Sequence, residues 1–492
     1  MYSMSTKEWA GLAVLALPTA LLGMDVTVLY LTMPSLAADL NPTGTEVLWI
    51  MDAYGLLIAG FLVTMGTLGD RIGRRRLLLI GSAAFGVVSV VAAFAPSAEV
   101  LIGARAVLGI AGATLMPSTL ALISTIIPDP ARRAVAFGGW VTAFALGMAA
   151  GPVVGGLLVE HYWWGAAFLI AVPVVVVVLL AGPRVLPEHQ VPRGDRIDVA
   201  SVVLSLLTLL PVVYAVKHVA ESGFGPSTVV PLVAGLVFGV LFVRRQRGLD
   251  DPLVDVRLFA GRAFSAALGV MVVGLTGVGG VMLLVTQYLQ QIAALPPLRA
   301  GVWMGPPALA MFAAAIAAPL IARRIRPGFV VGAVLALSTV GYALLATVRG
   351  TDEVVPVVAG FALVYLSLGA IAALGTDLVV GSCPPERAGA ASALSETVQE
   401  LGLALGVAVL GSLAAATYRS QIPADASEAV RDSLAGALSM SGSVPDTVLR
   451  QAKEAAVTGL NVAALAAGIG VLLLAVLAAV ALRHVGTYKP TT

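Results

Sequence analysis

The stretch Gly147-Met148-Ala149-Ala150-Gly151-Pro152-Val153-Val154-Gly155-Gly156 sets glycine at a four-residue spacing. On a helix that spacing makes a stripe without Cβ atoms, where a neighbouring backbone can lie close. Pro152 within it removes one backbone hydrogen bond. A single Gly-x-x-x-Gly would mean no more than generic packing, but this one recurs. A shift of 255 positions carries Gly147, Gly151 and Gly156 onto Gly402, Gly406 and Gly411, and carries Pro130 and Arg132 onto Pro385 and Arg387. Matches of this kind at one offset mark an internal repeat, so the chain reads as two similar halves.

Both halves must sit in a bilayer. Of 492 residues, 59% are hydrophobic and 11% charged, with mean hydropathy +0.97, whereas soluble domains run at about 45–50% apolar and about 25% charged. A spanning helix needs roughly 20 mainly apolar residues. That yardstick predicts fourteen spans, near 9–33, 47–68, 78–95, 99–121, 135–158, 165–182, 199–216, 227–243, 264–288, 301–321, 328–347, 354–380, 389–415 and 459–482. The first run is too long for a signal peptide and lacks a small-residue cleavage site, so it reads as a retained helix. The expected fold class is an all-α polytopic membrane protein of two pseudo-symmetric six-helix bundles plus two inserted helices. By domains, residues 1–183 form the N-terminal bundle and 184–262 a linker with spans 7 and 8. Residues 263–492 form the C-terminal bundle, including an extracellular loop near 417–457 that reads as a solvated connection with one short amphipathic helix. Two such bundles facing each other across a midplane site are a plan of transporters.

Loop charge orients the chain. Arg71, Arg74, Arg75, Arg76, Arg132, Arg133, Arg184, Arg244, Arg245, Arg324 and Arg326 lie in loops on one side, against Lys217, Arg299 and Arg349 on the other. The positive-inside rule then places both termini in the cytoplasm. The preference for Arg over Lys, with abundant Ala, Val and Gly, hints at a bacterium, hence its inner membrane.

Several classes are excluded. The lone Cys383 permits no internal disulfide, and His161, His189, His218 and His484 never fall at the i, i+4 spacing that grips a metal. None of Lys7, Lys217, Lys453 and Lys489 sits in a Gly-Lys-Ser/Thr sequence, so no P-loop cradles ATP. A net charge of +2, without a basic stripe, carries no nucleic-acid signature. No nucleophile, base and orienting group occur together, so no enzyme is expected.

Four motifs resemble those of a known family. Gly66-Thr67-Leu68-Gly69-Asp70-Arg71-Ile72-Gly73-Arg74-Arg75-Arg76 is similar to the loop signature of the major facilitator superfamily, with glycines for a sharp turn and Asp70 and the arginines for a charge network. Leu101 to Gly112, with Arg105 and Gly109, resembles its second signature. The Gly147 to Gly156 run resembles its antiporter signature, and Met24-Asp25-Val26 through Pro34 that of its drug:proton antiporter branches. With fourteen spans, the chain resembles the fourteen-helix drug:proton antiporter family over essentially its whole length. The stretch from Asp377 through Cys383, Pro384, Pro385, Glu386 and Arg387 to Glu396 and Glu400 is similar to the subgroup exporting quaternary ammonium compounds, dyes and other lipophilic cations. The second half keeps only Ala318 to Arg326 where the loop signature would recur, without its Gly and Asp.

A charge at the centre of a spanning helix costs about 2.5–3.5 kcal/mol on insertion scales, so intramembrane ionisable groups are functional candidates. They are Asp25, Asp52, Arg105, Asp377, Glu396 and Glu400. Acids outnumber the base, so some should be protonated at rest or waiting for a cation. Glu396 and Glu400, four apart, share a helix face and should titrate as a coupled pair that holds a proton or a cation but resists being empty; the alternative is that either serves helix packing. By family resemblance Asp25 is the proton-coupling residue with Arg105 as its candidate partner, and a static ion pair is the alternative. Asp52 reads equally as a solvated rim group or an outer-cavity cation site, and Asp377 as a gate or an interfacial group. Trp49, Tyr54, Trp140, Phe144, Tyr288, Trp303, Phe361 and Tyr365 could line a cavity for flat cations, although for each one lipid or interface contact is the larger expectation. Trp9, Tyr162, Trp163 and Trp164 read as interfacial anchors.

The leading expectation is proton-coupled export of lipophilic cations by alternating access. Its partners are small-molecule cations, protons as the coupling ion and the bilayer, with no cofactor, no metal and a monomer as the working unit. The alternatives are a same-fold exporter of an endogenous metabolite or lipid-like amphiphile, and a non-transporting membrane sensor.

Overall fold

Membrane helices must satisfy every backbone group within themselves, and long helices account for most of the described chain. A computed structural model describes residues 5–127, 130–188, 198–222, 225–249, 252, 256–322, 324–381, 388–423, 425–440 and 442–481. Residues 382–387, including Cys383, Pro384, Pro385, Glu386 and Arg387, lie outside that set, as do the side chains of Asp70, Arg71 and Glu400.

The long helices are α1 (Thr6–Leu40), α2 (Gly44–Ile72), α3 (Arg74–Ala93), α4 (Ala98–Ile126) and α5 (Pro130–His161). The next, α6, runs through Ala166–Leu169 and Ala171–Val185, and is followed by α7 (Val199–Ser222) and α8 (Pro226–Arg247). Then α9 starts at Arg262–Gln287 and ends in a π-helical turn, Tyr288–Ile292, and α10 comprises Pro297–Trp303 and Gly305–Ala322. Beyond α11 (Pro327–Ala346), α12 joins Val354–Ala370 to Thr376–Gly381 through the π turn Ile371–Gly375. In α13, Ala388–Gly406 and Ser412–Gln421 are joined through the π turn Val407–Gly411, and α14 is Asp446–Ala481. Among the described residues, 12 helices are long and apolar enough to cross a membrane, and α2 and α7 are compatible with the remaining two of the fourteen expected.

The repeat is visible in the packing. In the first half α1 packs on α5, α2 on α4 and α3 on α6; in the second, α9 packs on α13, α10 on α12 and α11 on α14. The glycine stripes set both leading pairs. A Cβ on Gly147 would collide with the Ala20 carbonyl, one on Gly151 with the Thr27 hydroxyl, and one on Gly23 with the Phe144 carbonyl. The same closeness recurs where Gly406 meets the Thr276 carbonyl and Gly279 meets that of Leu403. Thr27 exploits the α1–α5 approach by donating its hydroxyl to the Met148 carbonyl at 2.9 Å.

The inserted helices α7 and α8 form a hairpin beside α2 and α13. A polar staple closes it at the end that loop charge places inside. Arg245 donates to both Asp198 oxygens at 2.8 and 2.7 Å, and Gln246 donates to the Ser201 hydroxyl at 2.6 Å. The Arg245 guanidinium holds the Asp198 carboxyl down at about 2, against the opposing pull of partial burial.

Three departures from the sequence expectations have local causes. The capping box of Thr43 and Glu46 starts α2 at Gly44, earlier than the expected 47. The alanine-rich run after Asp446 carries α14 well outside the expected 459, burying Ala452 and Ala455. The polar loop before it is packed rather than merely solvated: it holds two short helices, Glu428–Asp432 and Leu434–Ser439, and buries Val430, Leu434 and Ala437.

Candidate functional site

Two glycines of the second signature decide where the charged groups meet. A Cβ on Gly109 of α4 would collide with the Tyr54 carbonyl of α2, and Gly112 faces the Tyr54 ring hydroxyl. This close crossing lays the Tyr54 ring over Arg105, with the guanidinium carbon 4.4 Å from the ring centroid. Arg105 Nε donates to the Ile50 carbonyl at 3.2 Å, and Nη1 donates to Asp25 Oδ2 of α1 at 2.7 Å. Arg105 is 2% and Asp25 7% exposed, a depth at which an ion must be compensated on nearly every side to offset its lost hydration. The carboxylate, a carbonyl and an aromatic face provide that compensation from two other helices.

Asp52 is also buried, at 2% exposure, which overturns the solvated-rim reading; the earlier helix start places it about two turns into α2. It lines a cleft of about 30 Å³ together with Tyr30, Tyr54 and Arg105 of the first half and Leu403, Ala404 and Val407 of the second. Far smaller than the roughly 300–1,000 Å³ of sites that enclose drug-sized ligands, that space admits water. Anything larger needs the halves to part.

Asp377 and Glu396 do not line this cleft. Asp377 is exposed, just beyond the π turn of α12. Glu396 is half-buried on α13, where neighbouring Ser395 and Gln399 both donate to the Thr376 hydroxyl, at 3.0 and 3.4 Å. That uncharged cluster drew no attention in the sequence, where only charges stand out against an apolar helix.

The loop motif forms its turn at Gly73, whose φ of 104° favours glycine. Gly66 faces Pro117, and Arg74 is half-buried. Arg75 reaches across to Glu188 at 3.1 Å and to the Leu186 carbonyl at 3.0 Å, so the charge network has a carboxylate partner beyond α6. In the antiporter motif Gly155 packs on Val28 of α1, whereas Gly156 meets the Pro297 backbone and Pro152 meets Gly301, both in the second half.

Of the aromatic candidates, Tyr54 lines the cleft. Trp49 packs beside Leu56, Ala404 and Ala408, and Phe144 stacks on Trp140 with centroids 6.4 Å apart. Phe361 and Tyr365 are buried in the second half, where Tyr365 donates to Met282 Sδ at 2.7 Å, while Tyr288 bonds the Gly350 carbonyl at 2.7 Å. Trp303 is 36% exposed and Trp9 59%. Trp164, expected as an interfacial anchor, is buried instead, with its indole N–H donated to Asp39 at 2.7 Å; Tyr162 and Trp163 remain exposed.

Comparison with known proteins accords with this architecture. A solved structure of a bacterial homolog to human lysosomal transporter Spinster, inward-facing and unoccupied, superposes with TM-score 0.69 over 99% of this chain and 100% of that one, at 16% identity. The chain is 41% identical over 489 residues to multidrug efflux pump LfrA of Mycolicibacterium smegmatis, covering 97% of each. It is 33% identical to methyl viologen resistance protein SmvA of Salmonella typhimurium, over 96% of this chain and 97% of that protein. The Major Facilitator Superfamily model matches residues 15–407. With the repeat, the paired helices and these matches in agreement, the chain is a multi-pass membrane protein that belongs to the Major Facilitator Superfamily.

Proposed function

We propose that this chain is a proton-coupled multidrug exporter of lipophilic cations, working by alternating access in a bacterial inner membrane with both termini cytoplasmic. The observation that carries the reading is the buried Asp25–Arg105 pair bordering, through Arg105, a cleft between the halves that also holds Asp52. A cation entering from the cytoplasm finds carboxylates at Asp52 and Asp25. Its charge competes with Arg105 and with any bound proton, and rocking of the halves exposes the loaded site outside, where protons displace the cargo. The efflux and resistance names of the relatives support the export direction, and methyl viologen, a quaternary dication, supports cationic cargo.

Export of an endogenous metabolite is the second reading. It is supported by 32% identity to a probable actinorhodin transporter of Streptomyces coelicolor and 29% to the tetracenomycin C resistance and export protein of Streptomyces glaucescens.

The test is purified protein in liposomes under an imposed pH gradient, with uptake of a fluorescent lipophilic cation followed for wild type, Asp25→Asn, Asp52→Asn and Glu396→Gln. Gradient-driven uptake that Asp25→Asn abolishes is the expected result. If folded, oriented protein moves no tested cation, the cationic reading fails and metabolite export takes its place.

A further inference from the structure

At the end that loop charge places outside, each half extends one carboxylate to a backbone N–H of the other. Glu160, on α5 of the first half, accepts from Leu298 N at the start of α10 at 3.2 Å. Asp432, on the packed outer loop of the second half, accepts from Gly44 N at the start of α2 at 3.2 Å. Each contact crowns a close approach. Gly156, one turn before Glu160, lies against the backbone of Pro297 and Leu298, and Leu48, one turn after Gly44, packs on Gly411. The loop bearing Asp432 is itself tied to its own half, because Tyr418 of α13 donates to the Val430 carbonyl at 2.8 Å within the buried core of that loop. Opening outward must break both carboxylate bonds.

We propose that Glu160 and Asp432 are reciprocal, proton-released latches that hold the outer side shut. This rests on the alternating-access reading above. An ionised carboxylate makes a hydrogen bond roughly twice as strong as a neutral acceptor. Protons arriving from outside therefore weaken both latches and favour the state from which the central site loads its protons. The other ionisable groups on the elements packed here are Asp39 of α1, His161, Tyr162 and Arg299 around Glu160, and Glu46, Tyr418, Arg419, Glu428 and Arg431 around Asp432, with Asp446, Arg450, Lys453 and Glu454 on α14 behind the outer loop. None of them makes these two hydrogen bonds, so the difference between wild type and the variant without the two carboxylates reports the latches.

The experiment places spin labels at Tyr162→Cys and Thr447→Cys, one on each half, in a Cys383→Ser background. Full-length protein in lipid nanodiscs is measured by double electron–electron resonance from about pH 8 to about pH 4. Wild type should gain a long-distance population on acidification. Glu160→Gln with Asp432→Asn should hold that population raised at about pH 8, by about fivefold or more per latch, and should cut the further response to acid to the share that the central acids supply. Glu160→Asp with Asp432→Glu should restore the response, which a merely structural role for the two side chains would not do. Distances independent of pH in wild type, or an acid response in the doubly neutral variant as large as that of wild type, overturn the latch. The distances require no cargo, so failure of cation uptake in liposomes would count against the export reading alone.

Discussion

The guanidinium of Arg105 lies 2.7 Å from the Asp25 carboxylate and at the same time lines the cleft between the halves. One side chain thus belongs both to the ion pair and to the surface a cargo would meet. Any cation reaching Asp52 in that cleft alters the field at Arg105, and through it the Asp25–Arg105 pair.

Asp25→Asn should therefore fail twice. On the proposed mechanism it removes the proton-coupling carboxylate, and it strands a buried guanidinium at a cost of about 3–5 kcal/mol. Gradient-driven uptake should vanish and the melting temperature in detergent should drop, whereas Asp25→Asn combined with Arg105→Gln should recover much of the stability and none of the uptake. Uptake by the double variant at the wild-type rate would refute the coupling role.

Glycines of the antiporter motif separate packing from chemistry. Gly151→Ala drives a Cβ into Thr27 and the α1 backbone, an overpacking of about 1–3 kcal/mol. Gly139, on the same helix, has open space where a Cβ would go. Gly151→Ala should lower the thermal midpoint and folded yield, and Gly139→Ala should leave both unchanged; equal effects would show that the α1–α5 contact is not what the stripe serves.

The Asp198–Arg245 staple has a defined pH window. Its carboxyl is depressed to about 2 in the fold, so its stabilisation is present above the unfolded value of about 3.9 and is lost as pH falls through about 2. The difference in melting temperature between wild type and Asp198→Asn should be constant from about pH 5 to about pH 8 and should close toward about pH 2. A difference that changed across the neutral range would mean that another group carries it.

Much of this plan is legible in the chain. The offset that superposes Gly147 on Gly402 predicts which helices pair, because a glycine stripe calls for a near neighbour wherever it occurs. Asp25 and Arg105 stand out because a charge in an apolar helix needs an account of itself. Asp52 sits deeper than the apolar run alone implies, although the sequence carries the reason: Thr43 and Glu46 form a capping box that starts the helix sooner. The Arg75–Glu188 bond and the Gly44–Asp432 bond join residues far apart in sequence, and no local pattern encodes such partners. The Thr376, Ser395 and Gln399 cluster leaves no mark in the sequence, because neutral polar groups cost little enough in a helix to look ordinary.

The π-helical turns have a mechanical consequence. Tyr288–Ile292, Ile371–Gly375 and Val407–Gly411 all fall in the second half, while the described helices of the first half contain none. Each π turn interrupts the regular hydrogen-bond ladder of α9, α12 and α13, whereas α1, α4 and α5 are interrupted instead by the internal prolines Pro18, Pro34, Pro117 and Pro152. Two halves built on one plan thereby carry two kinds of joint, proline kinks beside Asp25 and Arg105 and π turns opposite them, and one of the latter, at Val407, rests on the cleft.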